Sequence, residues 1–144
     1  MEDLSSILHR EQCSLVVKKG SIHLFHQPGV ADLLCLLKQV DAPLHDADIA
    51  DKVVGKAAAA LLILGKVRQV YADTISEDGL SLLKQYTIKV TYGRKVLYIE
   101  NRSHTGLCPM EEACQGNDNP QELLVAIENR ITQMRQSKSN TVKS

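Results

Sequence analysis

A charged segment directly precedes the most apolar helix that the sequence predicts. Residues 57–65 of that helix read Ala-Ala-Ala-Ala-Leu-Leu-Ile-Leu-Gly. The candidate ligand-binding residues before it are Asp51, Lys52, Gly55 and Lys56. Helix N-termini attract anions through unpaired amides and the helix dipole, and a glycine lets a ligand approach the backbone. A lysine at this place can hold a phosphate or a carboxylate. In the alternative interpretation both lysines are solvated and Gly55 serves tight packing.

A second polar segment, residues 101–111, leads into another predicted helix start. Its candidate ligand-binding residues are Asn101, Arg102, Thr105, Cys108 and Glu111. Cys108 stands just before Pro109, at a predicted helix N-terminus where the dipole favours thiolate. Arg102 and Thr105 can supply contacts to an anion. In the alternative interpretation the segment is a capping loop, in which Cys108 packs inward and Glu111 complements the helix dipole.

Several familiar motifs are incomplete in this chain. A P-loop ending at Lys56 requires glycine at position 50 and serine or threonine at position 57, and both positions hold alanine. The segment His9-Arg10-Glu11 matches H-x-E, but no P-C-x-x-C follows it. The other histidines, at positions 23, 26, 45 and 104, show no metal-binding spacing. We therefore predict no metal ligands, no zinc and no cofactor.

The first half of the chain must position the segment around Lys56. Apolar periodicity predicts helices over 2–11 and 30–39, and a hairpin of two short strands around Gly20 within 13–25. A short strand is predicted over 46–50, followed by the charged segment 51–56 and the apolar helix over 57–65.

The second half alternates strands and helices. Strands are predicted over 67–72 and 88–92, the second ending at Gly93, and Thr74-Ile75-Ser76-Glu77 matches a capping box for the helix between them. This strand-helix-strand unit favours parallel pairing. A short helix follows over 109–114, and a last helix begins at Pro120. We expect an α/β fold in one domain, residues 1–135, with a disordered tail over 136–144.

Composition narrows the class of protein. The 144 residues contain 17 Lys and Arg against 17 Asp and Glu, which argues against a nucleic-acid or membrane-surface partner. No apolar run reaches the roughly 18 residues that span a bilayer, and the acidic start carries no signal peptide pattern. We therefore expect a cytoplasmic protein with reduced thiols. Cys13 and Cys35 lie in apolar segments, so we predict that both pack in the core.

Both polar segments carry a family resemblance. Residues 51–59, Asp-Lys-Val-Val-Gly-Lys-Ala-Ala-Ala, and residues 105–111, Thr-Gly-Leu-Cys-Pro-Met-Glu, resemble a small prokaryotic family of unknown function that belongs to the cytidine-deaminase-like superfamily. The segments Val70-Tyr71-Ala72, Ile75-Ser76 and Asn101-Arg102 fit the same family. The resemblance extends over about residues 13–131.

The resemblance implies a three-layer α/β/α sandwich around a mixed sheet of four to five strands, with the hairpin as its first two strands. The helix over 54–64 corresponds to the deaminase helix that opens with H-x-E, and the helix from Ser76 to the one that opens with P-C-x-x-C. Here those openings read Val54-Gly55-Lys56 and Thr74-Ile75-Ser76-Glu77, without a zinc ligand. Zinc-dependent deamination is therefore disfavoured, because no metal lowers the pKa of an attacking water. By analogy the protein forms a homo-oligomer.

Three functions remain open from the sequence. The first is a zinc-free deaminase-fold protein that binds a small nucleotide-like or anionic ligand between the two polar segments. The second is an enzyme of unnamed reaction that uses Cys108 as nucleophile or Lys56 as acid or base. The third is a non-catalytic interaction or regulatory protein whose cleft is vestigial and filled by side chains such as Met110 or Tyr98.

Overall fold

A mixed five-stranded sheet in the order β2-β1-β3-β4-β5 organises the chain, seen here in a computed structural model. The structure describes residues 3–27, 29–101 and 103–143, and side chains as far as residue 136. The elements in chain order are α1 (Leu4–Arg10), β1 (Leu15–Lys19), β2 (Ser21–Phe25), α2 (Ala31–Leu37), β3 (Asp48–Val54), α3 (Lys56–Gly65), β4 (Gln69–Ser76), α4 (Glu77–Gln85), β5 (Lys89–Val96), α5 (Pro109–Ala113) and α6 (Pro120–Lys143).

The antiparallel half of the sheet begins with the predicted hairpin, which is confirmed. β1 and β2 pair antiparallel, with Leu15 opposite Phe25, and Gly20 makes the turn at φ +74°. Glycine suits this turn because it adopts positive φ without a steric cost. β1 also pairs antiparallel with β3, so it lies between the hairpin edge and the parallel strands.

The parallel half consists of β3, β4 and β5. Val54 pairs with Ile75, and Ser76 pairs with Val96, so the three strands end at the same edge of the sheet. The predicted parallel pairing around α4 is confirmed. Since the carboxyl ends of parallel strands are the usual place for ligand sites in α/β proteins, this edge is the first place to look for function.

Two apolar clusters hold helices against both faces of the sheet. The larger cluster includes α2, α3, α4 and α6, and every residue of α3 from Lys56 to Leu62 is buried. Four consecutive alanines allow this close packing because their small side chains bring neighbouring helices near. The smaller cluster lies under α1 and includes Ile7, Leu8 and Cys13.

Of the two cysteines that we predicted to pack in the core, one is buried and one is exposed. Cys13 is buried, as predicted, whereas Cys35 is exposed, so its predicted core position is wrong. The helix α2 buries Leu33 and Leu36 and thereby turns Cys35 towards solvent.

Several element boundaries differ from the sequence predictions. The short strand predicted over 46–50 is longer, because β3 continues to Val54 and includes Asp51, and α3 begins at Lys56 rather than at Val54. β4 continues to Ser76, which caps α4 by accepting a hydrogen bond from Gly79 N, so Thr74 is a strand residue and not the cap. β5 passes through Gly93, where the sequence predicted its end.

The ends of the chain add two facts. α6 is helical to Lys143, and the disorder predicted for residues 136–144 stays a prediction. At the other end, α1 is tied to the sheet because His9 Nε2 lies 2.6 Å from Asp73 Oδ1, which also accepts a hydrogen bond from Tyr71. Among the residues in the described ranges, no helix combines the length and apolar character that crossing a membrane requires.

Candidate functional site

A cleft opens where the parallel strands end and α3 and α4 begin. Its volume is about 70 Å³. The residues that line it are Lys56, Ser76, Asp78, Leu97, Tyr98, Leu107, Glu111 and Gln115. The cleft thus combines polar groups from two helix starts with an apolar wall from the segment after β5. It is the candidate functional site, because concave sites with a few convergent polar groups are where small molecules bind.

Glu111 occupies the N-terminus of α3. Its carboxylate accepts hydrogen bonds from Lys56 N at 2.6 Å and from Ala57 N at 3.0 Å. A helix leaves its first amides unpaired, so a carboxylate here satisfies two donors and complements the dipole. The position where the sequence predicts an external anion is therefore taken by the chain's own carboxylate. Glu111 lies on α5 and caps α3 instead of complementing its own helix.

Gly55 makes room for this carboxylate. A Cβ atom at position 55 would overlap the Oε1 atom of Glu111, which lies against the backbone of the α3 N-cap. The glycine thus permits a close approach to the backbone, as its type predicts, but the approaching group is internal. Burial raises the pKa of Glu111 and nearby Asp78 adds to the rise, while the two amide hydrogen bonds and Lys56 lower it.

Lys56 is almost fully buried, with 7% of its surface exposed. Its Nζ lies 2.9 Å from Asp118 Oδ1, whose side chain is largely exposed at the start of α6. Lysine is rarely buried unless it is paired. The ammonium group of this cleft-lining residue is therefore paired with a carboxylate that is largely exposed to solvent.

The start of α4 contributes polar groups to the cleft beside those of α3. Ser76 is buried, and its Oγ accepts the Gly79 N–H, which leaves its hydroxyl proton free for a further acceptor. A Cβ at Gly79 would lie 2.9 Å from Gly55 O, so the two helix starts are in direct backbone contact. This contact fixes the spacing between the polar groups of α3 and α4.

Asp51 and Lys52 lie on β3 and are separate from the residues that line the cleft. Lys52 is exposed, whereas Asp51 is 6% exposed and accepts a hydrogen bond from Val53 N at 3.3 Å. Burial raises the pKa of Asp51 to about 7, and the charges of Asp73 and Asp32 add to the rise. Asp51 is thus a buried acid within the sheet and lies outside the described lining of the cleft.

The second polar segment closes on itself. Asn101 donates to Thr105 Oγ1 at 3.1 Å and accepts from Thr105 N at 3.0 Å, and a bridge joins Glu100 to Leu107. Cys108 is the half-buried N-cap of α5. It lies outside the described lining of the cleft. Arg102 lies outside the described residues. Of the nine predicted site residues, the cleft brings together Gly55, Lys56 and Glu111.

The cleft also contains residues that were not among the nine predicted site residues. These are Ser76, Asp78, Leu97, Tyr98, Leu107 and Gln115, and Asp118 pairs with the cleft residue Lys56. A signal for two of them was present: Ser76 and Asp78 open a helix directly after a strand that pairs in parallel with β3. Placing the end of β4 at Ser76 would have put both beside Lys56, since parallel strands end at one edge.

The donor set around the two helix starts does not fit zinc. Gly55, Lys56 and Ser76 stand where the resemblance implies zinc ligands, and none offers imidazole or thiolate. Within the described ranges, no group of three or more His, Cys, Asp and Glu side chains could hold a metal ion.

Comparison with known proteins agrees with one part of the resemblance, the membership in a family of unknown function. The family profile described as TM1506, a domain of unknown function (DUF1893), matches residues 3–131. The crystal structure of a DUF1893 family protein (TM1506) from Thermotoga maritima is similar to this chain, with a TM-score of 0.81 and 26% identity, covering 88% of this chain and 86% of that one. The curated proteins contain no match. Because the profile spans most of the sequence, this chain belongs to the DUF1893 family.

Proposed function

We propose that this protein binds a small, uncharged, ring-shaped ligand of the nucleobase or nucleoside class in the cleft between α3 and α4. The observation that carries the proposal is the convergence of hydrogen-bonding groups on an apolar wall. Lys56 and Gln115 donate, Glu111 and Asp78 accept, and Leu97, Tyr98 and Leu107 form the wall. A planar heterocycle presents the matching combination, an apolar face and an edge of donors and acceptors.

The charges in the cleft favour a neutral ligand over a phosphate. Glu111 already satisfies the amides of Lys56 and Ala57 that a phosphate would use. Asp118 balances the charge of Lys56, and Asp78 adds a further acid at the rim. A phosphate would therefore meet carboxylates, and like charges placed together cost free energy. This argument selects the nucleotide-like part of the sequence prediction and disfavours its anionic part.

A zinc-free deaminase-like fold is part of the same proposal. The hairpin supplies the first two strands, and the five-stranded mixed sheet lies between helices on both faces. α3 and α4 begin side by side at the cleft, as the resemblance implies for the two helices that hold zinc in a deaminase. These features support the three-layer fold, while the side chains at both helix starts support binding without metal-assisted hydrolysis.

Thermal unfolding tests the proposal with free nucleobases, nucleosides, nucleoside monophosphates and inorganic phosphate. A ligand present at 100 times its Kd adds about 2.7 kcal/mol, which corresponds to a rise in Tm of roughly 5–10 °C for a chain of this size. We expect neutral nucleobases or nucleosides to give the shift. Tyr98→Ala should abolish it, whereas Tyr86→Ala should keep it, since Tyr86 is similarly exposed and lies outside the described lining of the cleft.

Two results would overturn the proposal. One is the lack of a shift with every nucleobase and nucleoside. The other is a shift with inorganic phosphate that Lys56→Gln removes, which would restore the anionic alternative.

A non-catalytic interaction protein is the second candidate. It is favoured by Glu111, which fills the α3 N-terminus with a side chain of the protein itself. Tyr98 lines the cleft but is 47% exposed, and Met110 packs against the main core, so neither fills the cleft in the way that this alternative predicts. The enzymatic alternative retains Lys56, which lines the cleft, more readily than Cys108, which lies outside its described lining.

A further inference from the structure

We propose that residues 107–118, named here the strap, open and close the cleft, and that Glu111 is the latch that holds the strap shut. The proposal rests on the cleft being the ligand site and concerns how a ligand gains access to it. The strap consists of α5 with Leu107 and Cys108 before it and the loop to Asp118 after it.

The strap forms one wall of the cleft from a continuous piece of chain. It contributes Leu107, Glu111 and Gln115 to the lining, while α3 and α4 contribute the floor. Its last residue, Asp118, pairs with Lys56, which also lines the cleft. Moving this piece of chain would therefore widen the cleft without disturbing the sheet.

The polar contacts of the strap with α3 lie at the start of that helix. They are the two hydrogen bonds from Lys56 N and Ala57 N to the carboxylate of Glu111, and the ion pair between Lys56 and Asp118. Gly55 has no side chain that would block the carboxylate, so the α3 N-cap is shaped to receive it. A polar contact of this kind can be exchanged for water, whereas an apolar interface would resist opening.

The other side of the strap is anchored more firmly. Arg130 on α6 donates to Pro109 O at 2.9 Å and pairs with Glu112, and Cys114 is fully buried in the main core. The strap thus has a latch side facing α3 and a hinge side on α6. Opening would tilt α5 about the hinge side and lift Glu111 from the α3 amides.

The small volume of the cleft supports such a movement. The cleft holds about 70 Å³, whereas an engineered cavity that binds benzene measures about 150 Å³. A ring is fully enclosed here only when a wall moves, and the strap is a wall formed by one continuous piece of chain. Glu111 therefore controls access in addition to capping α3.

Amide hydrogen exchange in the ligand-free protein tests the latch. In Glu111→Gln we expect the amides of Lys56 and Ala57 to exchange at least about tenfold faster, since the lost partner is a charged acceptor. The amides of Glu112 and Cys114, which bond within the strap, should accelerate as well, while those of β3 and β4 stay unchanged. Gly55→Ala should give the same pattern. Its Cβ would push the carboxylate away from the α3 amides, although residue 111 is still a glutamate.

A matched control separates a latch from simpler roles. Gly106→Ala adds a methyl group next to the strap where no atom lies within 4 Å, so it should leave the amides of Lys56 and Ala57 unchanged. If exchange becomes faster only at those two amides, Glu111 acts only as a helix cap. If exchange becomes equally faster across the sheet, the substitution destabilises the whole protein. Either result overturns the proposal that the strap opens. Because no ligand is present, the outcome is independent of the proposed ligand class.

Discussion

Asp51 is a carboxylic acid buried inside the sheet, and Asp51→Asn should stabilise the protein at alkaline pH. Its pKa is about 7 in the folded chain, raised first by burial, against about 3.9 in an unfolded chain. Because the folded pKa is the higher one, the native state binds more protons between about pH 4 and pH 7. The free energy of unfolding therefore falls as the pH rises through that window and stays reduced above it.

The size of the effect follows from the difference of about three pH units. At 1.36 kcal/mol per unit, ionised Asp51 costs about 4 kcal/mol above pH 7. Asparagine avoids ionisation and can still accept the hydrogen bond from Val53 N, but its NH₂ group cannot accept the Lys52 amide, which also hydrogen-bonds the Asp51 carboxylate. A lost acceptor costs about 1 kcal/mol, so the expected net gain is roughly 3 kcal/mol at pH 8 and close to zero or slightly negative at pH 4.

Urea unfolding from pH 4 to pH 8 measures this difference. The stability of Asp51→Asn relative to the original chain should rise across the window, and Asp41→Asn, in an exposed loop, is the matched control. A flat difference for Asp51→Asn, or a carboxyl pKa near 4 measured by NMR, would refute the argument that burial dominates at this position.

Two further predictions concern packing and thiol chemistry. Gly79→Ala should reduce the free energy of unfolding by roughly 1–3 kcal/mol, because the new Cβ would press on the backbone of Gly55. Urea unfolding measures the loss, and a loss no larger than that of Gly106→Ala would contradict the prediction. Iodoacetamide at pH 8 should modify exposed Cys35 before Cys114, because burial raises the pKa of the Cys114 thiol to about 12. Peptide mass spectrometry measures the two rates, and equal rates would contradict this order.

The parts of the fold that the sequence predicts are those with strong local patterns. The hairpin follows from β-branched residues around Gly20, and the parallel pair β4 and β5 follows from a strand-helix-strand order. The boundaries near Asp51 and Thr74 were wrong because polar residues inside a strand resemble the start of a helix. Asp51 is tolerated in β3 because its carboxyl group can become neutral, a property that comes from burial and not from neighbouring residues.

In the candidate site, too, the sequence indicates the residues with a strong local pattern and not their distant partners. Gly55 and Lys56 stand out locally, before an apolar run, and in the structure Lys56 lines the cleft while Gly55 lies against the cleft residue Glu111. The partner of the α3 amides could not be identified in this way, since Glu111 is 55 residues from Lys56 in sequence. A glycine before a helix indicates that something approaches the backbone, but it does not indicate whether that group is a ligand or another part of the chain.

The internal partners of the cleft also set how a ligand must bind. Glu111 satisfies the α3 amides and Asp118 pairs with Lys56, so the amides and the ammonium group at the start of α3 already have partners. A ligand therefore gains only the difference between its own contacts and those it replaces, and its apparent affinity falls by the fraction of molecules with an open strap. If one molecule in ten is open, the apparent Kd is about tenfold weaker than the intrinsic one. Closure by the chain's own carboxylates thus favours ligands that keep Glu111 as a partner over ligands that must displace it, which is the physical reason for expecting a hydrogen-bonding ring and not a phosphate.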